Sequence, residues 1–401
     1  MTTLTRRNPQ PPTTVAPDAA ARFAVPYVHR LQFTDDVFGA DRAALAALLE
    51  PSGDLAPKVQ FWLDGHVVGT RPGLLGEIDA FLGEYRHAAR PAGVHVAPGG
   101  EAVKNDWAHV ERVLQAINDS DLDRRSYVVV VGGGAVLDAV GFAAATAHRG
   151  IRLIRLPSTT LAQGDSGVGV KNAVNRYGKK NWLGTFAVPW AVVNDTALLA
   201  SLPDRDFSAG FSEAVKVALL KSGAEFDRLC RNATRIRGRD LAAALPAIRA
   251  SAELHRAHIT RGGDPFEALE ARPLDYGHWS AHKLEALTAH ELRHGEAVAI
   301  GLALDARYSV QVGMLPAGGE DRVHALLKRF GFHLWHAALE SRDADGHWLL
   351  LRGLEEFREH LGGELTITLL RDIGVGEEVH QMDPAEILRA LVWLRRREQG
   401  G

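Results

Sequence analysis

Between Tyr27 and about Pro189, short apolar runs alternate with longer stretches whose apolar residues recur at helical spacing. Such alternation predicts βα units arranged around a mostly parallel sheet. The candidate strands are Val59–Leu63, Gly93–Val96, Tyr127–Val131 and Leu153–Leu156.

After Asp195 the apolar residues recur every three or four positions, which predicts helices. The candidate helices are Asp206–Ser222, Leu241–His258, Gly277–Leu287, His294–Val312 and Glu320–Phe330. We therefore predict an α/β domain at 27–198 followed by an all-α domain at 199–401. Residues 1–26 are interpreted as a flexible lead.

The composition agrees with two soluble domains. The chain has 401 residues, 46% of them apolar, which is more than one small core requires. A formal net charge of −3 provides no basic field for nucleic acid or an anionic membrane, so we expect a small-molecule partner. No apolar stretch in the lead is long enough for a membrane span or a signal peptide. Because Cys230 is the only cysteine, no internal disulfide can form, and we predict a cytoplasmic protein.

A glycine-rich turn follows the third candidate strand. Gly132, Gly133 and Gly134 precede a predicted helix of small residues at 135–146. Glycines let backbone N–H groups approach a pyrophosphate, and a helix N-terminus favours negative charge. Leu137 replaces the third glycine of the usual dinucleotide fingerprint, so the turn alone fits either a cofactor site or a structural connection.

Other polar residues follow candidate strands. Asp64 could hold a ribose, or it could be an ordinary turn residue before Gly65. Glu101 and Lys104 lie in a polar loop that could equally be a solvated turn.

The segment 157–175 mixes hydroxyls, glycines, Asp165 and Lys171 without the periodicity of an exposed helix. This composition is typical of a loop that lines a polar site, although a surface loop would look the same. Shortly afterwards, Lys180 and Asn181 add donors suited to phosphate.

Acidic and imidazole side chains occur in the predicted helices. Glu213 and Lys216 are three residues apart, so they face the same way. His278 and His282 share a helical face, and His294 begins the next helix. Imidazoles and one carboxylate can form an open zinc-type site with three protein ligands. Spacing alone does not decide which three residues would bind the metal.

Eight ordered segments resemble 3-dehydroquinate synthase and related sugar-phosphate cyclases over nearly all of residues 55–385. They are Gly132–Asp138, Ala143–Gly150, Leu161–Asp165, Val170–Asn175, Gly178–Asn181, Ala209–Lys216, Asp275–His282 and His294–Gly301. The resemblance implies an NAD-binding α/β domain followed by an all-α domain that binds the metal and the substrate.

The resemblance also implies residue roles. Glu213, His278 and His294 would bind a divalent metal, zinc or cobalt, whereas His282 would contact the substrate. Residues implied for NAD binding are Asp64, Glu101, Lys104, Gly133, Gly134, Asp138, Ser158, Thr159 and Lys180. Besides His282, the residues implied around the substrate are Asp165, Lys171, Asn181, Lys216, His255 and Asp275. Arg149 resembles an arginine that reaches a phosphate across a dimer interface, so a homodimer is implied.

The implied reaction uses NAD catalytically. Transient oxidation of a ring hydroxyl acidifies the neighbouring C–H and permits loss of phosphate. Return of the hydride regenerates NAD, and ring opening followed by an intramolecular aldol step closes the carbocycle.

Several positions depart from the shikimate-pathway enzyme, whose substrate carries a carboxylate. Ala271, next to Arg272, occupies an arginine position, Asp275 an asparagine position and His255 a lysine position, and Glu356–His360 contains no lysine. Fewer cations and an added acid disfavour a carboxylate ligand. We therefore hypothesise a neutral ketose phosphate such as sedoheptulose 7-phosphate, as for valiolone-type cyclases. The segment 273–279 also resembles dehydroquinate-synthase-like proteins of bacterial ebo gene clusters.

Alternative functions remain open. One is 3-dehydroquinate synthase itself, acting on the seven-carbon acid phosphate. Another is a metal-dependent polyol dehydrogenase. The group of phosphate donors argues against it: Lys171, Asn181, Lys216 and Arg149. A non-catalytic scaffold is disfavoured because all three implied metal ligands are present.

Overall fold

The computed structural model describes residues 24–51, 53–266, 273–289, 291–361 and 363–400. Ala271 and Arg272, which depart from the family pattern, lie outside these residues, as does most of the interpreted N-terminal lead.

In the described part of the chain, six strands form one parallel sheet in the order β1-β8-β5-β4-β2-β3. Two antiparallel hairpins, β6-β7 and β9-β10, lie apart from it. The strands are β1 Leu31–Thr34, β2 Lys58–Asp64, β3 Arg90–Ala97, β4 Tyr127–Gly132, β5 Arg152–Pro157, β6 Lys171–Arg176, β7 Lys179–Phe186, β8 Ala191–Asp195, β9 Ile367–Asp372 and β10 Val375–Val379.

Helices surround the sheet and form most of the second half of the chain. They are α1 Arg42–Ala46, α2 Gly65–Thr70, α3 Leu74–Glu84, α4 Ala102–Asn105, α5 Trp107–Asp119, α6 Gly134–Thr146, α7 Asp204–Ala209, α8 Phe211–Lys221, α9 Gly223–Arg237, α10 Leu241–Arg261, α11 His278–Leu287, α12 His294–Gln311, α13 Gly319–Phe330, α14 Arg352–Leu361 and α15 Pro384–Gln399. In the described residues, no helix combines the length and apolar character that a membrane crossing requires.

The central strand β4 shows why the sheet forms. All six of its residues are buried, as expected for a parallel strand covered on both faces. Val129 and Val131 belong to the apolar cluster that includes α3, whereas Val128 and Val130 belong to the cluster that includes α5 and α6. A third cluster fills the helical half.

The strand order positions a site. From β2 the chain continues to β3 on one side and then crosses to β4 on the other side. Loops that leave neighbouring strands in opposite directions open a crevice at the carboxyl edge of a parallel sheet. Asp64 ends β2 and Gly132 ends β4, so both lie at this crevice.

The predicted fold class is confirmed, and the four candidate strands correspond to β2, β3, β4 and β5. The structure adds the short strands β1 and β8 and, within the helical half, the hairpin β9-β10. It also divides the candidate helix Asp206–Ser222 at Gly210, where a Cβ would lie 2.2 Å from the backbone nitrogen of Leu161.

Residues 171–175 and 178–181, interpreted from sequence as parts of polar loops, belong to the hairpin β6-β7 at 171–186. Its turn residues Tyr177 and Gly178 both have positive φ, 53° and 70°. Two consecutive positive φ angles are typical of a tight hairpin turn that matches the strand twist. The hairpin lacks the apolar alternation of a strand pair, which is why the sequence does not predict it.

Candidate active site

A cavity of about 1140 Å³ lies where the carboxyl edge of the sheet meets the helical half. Every site residue inferred from the sequence lines it except Arg149. Arg149 follows the end of α6 in a turn with a φ of 63°, and its implied contact across a dimer interface involves a second chain.

Three helices bring the implied metal ligands together. Glu213 lies in α8, His278 begins α11 and His294 begins α12. Donor atoms of the three residues lie within 4.8 Å of one another. Glu213 Oε1 is 3.1 Å from His294 Nε2 and 3.5 Å from His278 Nε2.

The second nitrogen of each imidazole is also occupied. His278 Nδ1 lies 3.1 Å from the carbonyl oxygen of Tyr276, and His294 Nδ1 lies 3.1 Å from Glu285 Oε2. Both Nε2 atoms therefore face Glu213. Carbonyl or carboxylate partners on the outer ring nitrogen are typical of histidines that bind metals.

The donor set fits a divalent cation. Glu213 is 1% exposed, and its Oε2 has no aligned hydrogen-bond donor, although Lys216 Nζ is 2.7 Å away. Burial disfavours the charged ring of His294, but Glu285 and Glu213 raise the pKa of this histidine to about 9. Because ligands must be deprotonated, a metal ion would compete with this proton.

His282, Glu285 and His294 form a second group whose donor atoms lie within 4.8 Å. Lys180 Nζ lies 2.7 Å from Glu285 Oε1. The ammonium group disfavours another cation at Glu285 by like-charge repulsion. The geometry therefore favours Glu213, His278 and His294 as the metal ligands and leaves His282 to face the cavity.

A buried ionic row continues from the metal ligands. Lys216 Nζ lies 3.1 Å from Asp165 Oδ2, and His255 Nδ1 lies 2.5 Å from Asp165 Oδ1. Although burial opposes ionisation, Lys216 lowers the pKa of Asp165 to about 2. Burial likewise opposes the Lys216 ammonium, yet Asp165 and Glu213 raise its pKa. Both groups are therefore charged at neutral pH.

The glycine turn lines the same cavity as this row. α6 begins at Gly134 without a side-chain cap, so the amides of its first turn face the cavity without a side-chain acceptor. A Cβ on Gly132 would lie 2.9 Å from Val136 Cβ, and one on Gly134 would lie 2.9 Å from Ser166 Oγ. Packing therefore requires a glycine at 132, whereas at 134 a Cβ would displace the Ser166 hydroxyl. The helix N-terminus without a side-chain cap suits a phosphate.

Asp64 is a turn residue, and it also lines the cavity, so its predicted role in holding a ribose stays a prediction. Its Oδ1 accepts the backbone N–H of His66 at 2.8 Å and so caps α2. Its Oδ2 lies 3.4 Å from the backbone nitrogen of Gly133, on the cavity wall. On the same side, Thr159 Oγ1 accepts the backbone N–H of Ala162 at 3.0 Å.

Lys104 connects several inferred residues. It is 3% exposed, and its Nζ lies 2.8 Å from Asp138 Oδ2 and donates to Asn181 Oδ1. Asn181, inferred to bind the substrate, therefore contacts Lys104, which was inferred to bind NAD. Lys180, inferred to bind NAD, instead contacts Glu285, whose other oxygen lies next to His294. Glu101 Oε1 accepts a hydrogen bond from Asn175 Nδ2 at 2.9 Å, so strand β6, which contains Asn175, also contacts a residue inferred to bind NAD.

Two residues that the sequence did not single out belong to the site. Glu285 lies one helical turn after His282. His258 lines the cavity one turn after His255, and burial together with Lys221 and His255 lowers its pKa to about 4. Each lies three residues after a histidine that the sequence already indicates, so helical spacing could have identified both.

Both halves of the chain match known proteins. The 3-dehydroquinate synthase N-terminal model matches residues 94–209, and the C-terminal model matches 210–349. A 3-dehydroquinate synthase of Halorhodospira halophila is 38% identical over 284 residues, which are 70% of this chain and 78% of the relative. A 2-epi-5-epi-valiolone synthase of Streptomyces glaucescens is 35% identical over 300 residues, 74% of this chain and 75% of the relative.

Among solved structures, the 2-epi-5-epi-valiolone synthase ValA of Streptomyces hygroscopicus subsp. jinggangensis, with NAD+ and Zn2+ bound, superimposes with a TM-score of 0.82. It is 26% identical, and the match covers 94% of this chain and 99% of ValA. The family models and the relatives place the chain in the sugar-phosphate cyclase superfamily. The chain belongs to the 3-dehydroquinate synthase family within that class.

Proposed function

We propose that this protein is an NAD- and metal-dependent cyclase that acts on a neutral ketose phosphate, with sedoheptulose 7-phosphate as the first candidate. The product would be a valiolone-type cyclitol ketone and inorganic phosphate. The metal would be zinc or cobalt, bound by Glu213, His278 and His294.

The observation that carries the proposal is the charge around the substrate end of the cavity. Asp165, Glu213 and Asp275 all line this end, and His255 contacts Asp165 at 2.5 Å. Lys216 offsets the charge of Asp165 and Glu213, and the metal would add positive charge at Glu213. Asp275 adds a carboxylate where the family pattern has an asparagine, so it repels a carboxylate ligand and can accept hydrogen bonds from the hydroxyls of a neutral sugar.

The relatives are compatible with more than one substrate. ValA and the Streptomyces glaucescens protein are valiolone synthases, while the Halorhodospira relative is a 3-dehydroquinate synthase. The second candidate is therefore 3-dehydroquinate synthase activity, supported by that 38% identity.

The residues have defined tasks in the proposed reaction. When bound, NAD would accept and return a hydride, and the metal would polarise the oxidised hydroxyl. Lys216 stays protonated, so it donates a hydrogen bond to a substrate oxygen rather than removing a proton. Desolvation by the cavity wall, reinforced by His278, lowers the pKa of His282, so this ring is neutral and can donate or accept at the substrate. Lys171 and Asn181 would bind the phosphate together with Arg149 of a second copy.

The test compares sedoheptulose 7-phosphate with the seven-carbon acid phosphate in the presence of NAD and zinc, following phosphate release and product mass. We expect a kcat/KM at least tenfold higher for the ketose. A higher value for the acid phosphate would replace the proposal by 3-dehydroquinate synthase. The Glu213→Gln variant, which removes one metal ligand, should release no phosphate from either compound.

A further inference from the structure

Asp305 is a carboxylate enclosed in the helical half. It lies in α12, about three turns after His294, and its side chain is 0% exposed. Among the described residues no cation pairs with it, and burial raises the pKa of its carboxyl to about 7. A buried carboxylate of this kind is costly unless its hydrogen bonds compensate.

The hydrogen bonds of Asp305 go to the two neighbours of His278. Oδ2 accepts the backbone N–H of Gly277 at 3.2 Å, and Oδ1 accepts the indole N–H of Trp279 at 3.0 Å. Asp305 therefore contacts the chain on both sides of an inferred metal ligand without contacting the ligand itself.

The contact with Gly277 acts on His278 through one peptide group. The N–H of Gly277 and the C=O of Tyr276 belong to the same planar peptide, and in the trans form they point in opposite directions. The Tyr276 oxygen lies 3.1 Å from His278 Nδ1. Because a carbonyl only accepts, this contact requires a proton on Nδ1 and leaves Nε2 available, 3.5 Å from Glu213 Oε1.

Close packing against α12 restricts the turn that contains Gly277. Gly277 has a φ of 77°, and a Cβ there would lie 2.9 Å from the backbone nitrogen of Leu302. A Cβ on Gly301 would lie 2.1 Å from the carbonyl oxygen of Gly277. The Tyr276 hydroxyl donates to the Leu302 carbonyl at 3.2 Å. The helix that presents His294 thus also supports the turn that presents His278.

We propose that Asp305 is a positioning residue for the metal site: by holding the 276–277 peptide it fixes the tautomer and the orientation of His278. This inference rests on the proposed function in one respect: it requires that Glu213, His278 and His294 bind a metal.

The test uses Asp305→Asn at pH 8.5, where the carboxyl, with a pKa of about 7, is ionised in the wild type. Asparagine has an NH2 group in place of one carboxylate oxygen, so either the Gly277 N–H or the Trp279 N–H then faces a donor instead of an acceptor. We expect zinc affinity, measured by chelator competition, to fall at least tenfold, as for other partners of metal-binding histidines. The visible absorption of the Co2+ form should change as well.

A second variant separates positioning from packing. Trp279→Phe removes the competing indole donor, so the asparagine oxygen of the double variant Asp305→Asn/Trp279→Phe can turn to Gly277. We expect the double variant to regain zinc affinity to within about threefold of Trp279→Phe alone. If the loss in Asp305→Asn came from disturbed packing, the double variant would bind zinc more weakly still, and the inference would be wrong.

Asp195→Asn is the matched control. Asp195 is also 0% exposed and accepts from Thr34 Oγ1 at 2.7 Å and from the backbone nitrogen of Val37 at 2.6 Å, but it lies outside the cavity wall. It should lose thermal stability and keep wild-type zinc affinity. Wild-type zinc affinity in folded Asp305→Asn would overturn the inference. Absence of zinc and cobalt binding in the wild type would instead overturn the proposed function.

The tautomer of His278 is measurable without any variant. Nitrogen-15 chemical shifts of the metal-free wild type should show the proton on Nδ1. A proton on Nε2 with a bare Nδ1 would contradict the inference even if Asp305→Asn does not fold.

Discussion

The ammonium of Lys180 lies 2.7 Å from the Glu285 carboxylate, across 105 positions of sequence. Lys180 belongs to the hairpin β6-β7 and Glu285 to α11, so this contact joins the hairpin to the helical half. The other oxygen of Glu285 lies 3.1 Å from His294 Nδ1. The hairpin is therefore connected to an inferred metal ligand through one side chain.

Glu285→Gln should weaken metal binding. The Glu285 carboxylate lies at His294 Nδ1 and so holds the ring with Nε2 toward Glu213. A neutral amide holds the ring less firmly and leaves Nε2 a less basic ligand. We expect zinc affinity, measured with a competing chelator, to fall about 10- to 100-fold. The control is Glu320→Gln. Glu320 is a buried carboxylate outside the cavity, and its Oε1 lies 2.8 Å from Nη1 of Arg307, a residue of α12. Equal zinc affinity in Glu285→Gln and the wild type would show that Glu285 has no such part.

Asp275→Asn should change substrate preference. Removal of one of the carboxylates at the substrate end reduces repulsion of an acidic ligand. We expect the ratio of kcat/KM for the acid phosphate to kcat/KM for the ketose phosphate to rise about tenfold, a difference of about 1.4 kcal/mol. Glu101→Gln removes an acid from the cofactor side of the same cavity and should leave the ratio unchanged. A ratio that moves equally in both variants would argue against a local effect of Asp275.

Gly132→Ala should disturb the turn between β4 and α6. The added Cβ would lie 2.9 Å from Val136 Cβ and 3.1 Å from Asp64 Cβ. We expect a loss of about 1–3 kcal/mol in unfolding free energy and weaker NADH binding in a fluorescence titration. Gly76→Ala is the control, since no atom lies within 4 Å of its Cβ position in α3, and it should stabilise the protein by about 0.5–1 kcal/mol. Unchanged NADH affinity in Gly132→Ala would separate the turn from the cofactor.

The pH dependence of stability should carry a signature of Asp305. Burial raises the pKa of its carboxyl from 3.8 to about 7, so the folded protein favours the protonated form. Its contribution to stability is complete below about pH 4 and is lost as the pH rises through about 7. Asparagine does not titrate, so the metal-free Asp305→Asn variant should gain on the order of 4 kcal/mol relative to the wild type between pH 4 and pH 8. Urea unfolding with a chelator present measures this difference, and parallel pH profiles would contradict it.

The sequence predicts those parts of the fold that have one regular period. The continuous apolar run Tyr127–Val131 indicates a strand that is covered on both faces. The apolar residues after His294 recur at helical spacing, which predicts a helix without further information. The hairpin β6-β7 has no such signal, because its residues serve the cavity and its own turn rather than an apolar core.

For the site, the sequence predicts which residues take part, but it does not predict which of them contact one another. The resemblance names Glu213, His278 and His294, and the structure brings their donor atoms within 4.8 Å. It does not reveal that Lys180 pairs with Glu285, or that Asp305 accepts from Gly277, because such contacts depend on the packing of helices that are distant in sequence.

The central claim is tested most directly by counting phosphate and NADH together. Sedoheptulose 7-phosphate is supplied in large excess over NAD with zinc-loaded protein, and both products are followed in the same sample. The account predicts many phosphate molecules released per NAD with no accumulation of NADH, and no release in Glu213→Gln. Accumulation of NADH in step with product, without phosphate release, would contradict it and would indicate a polyol dehydrogenase.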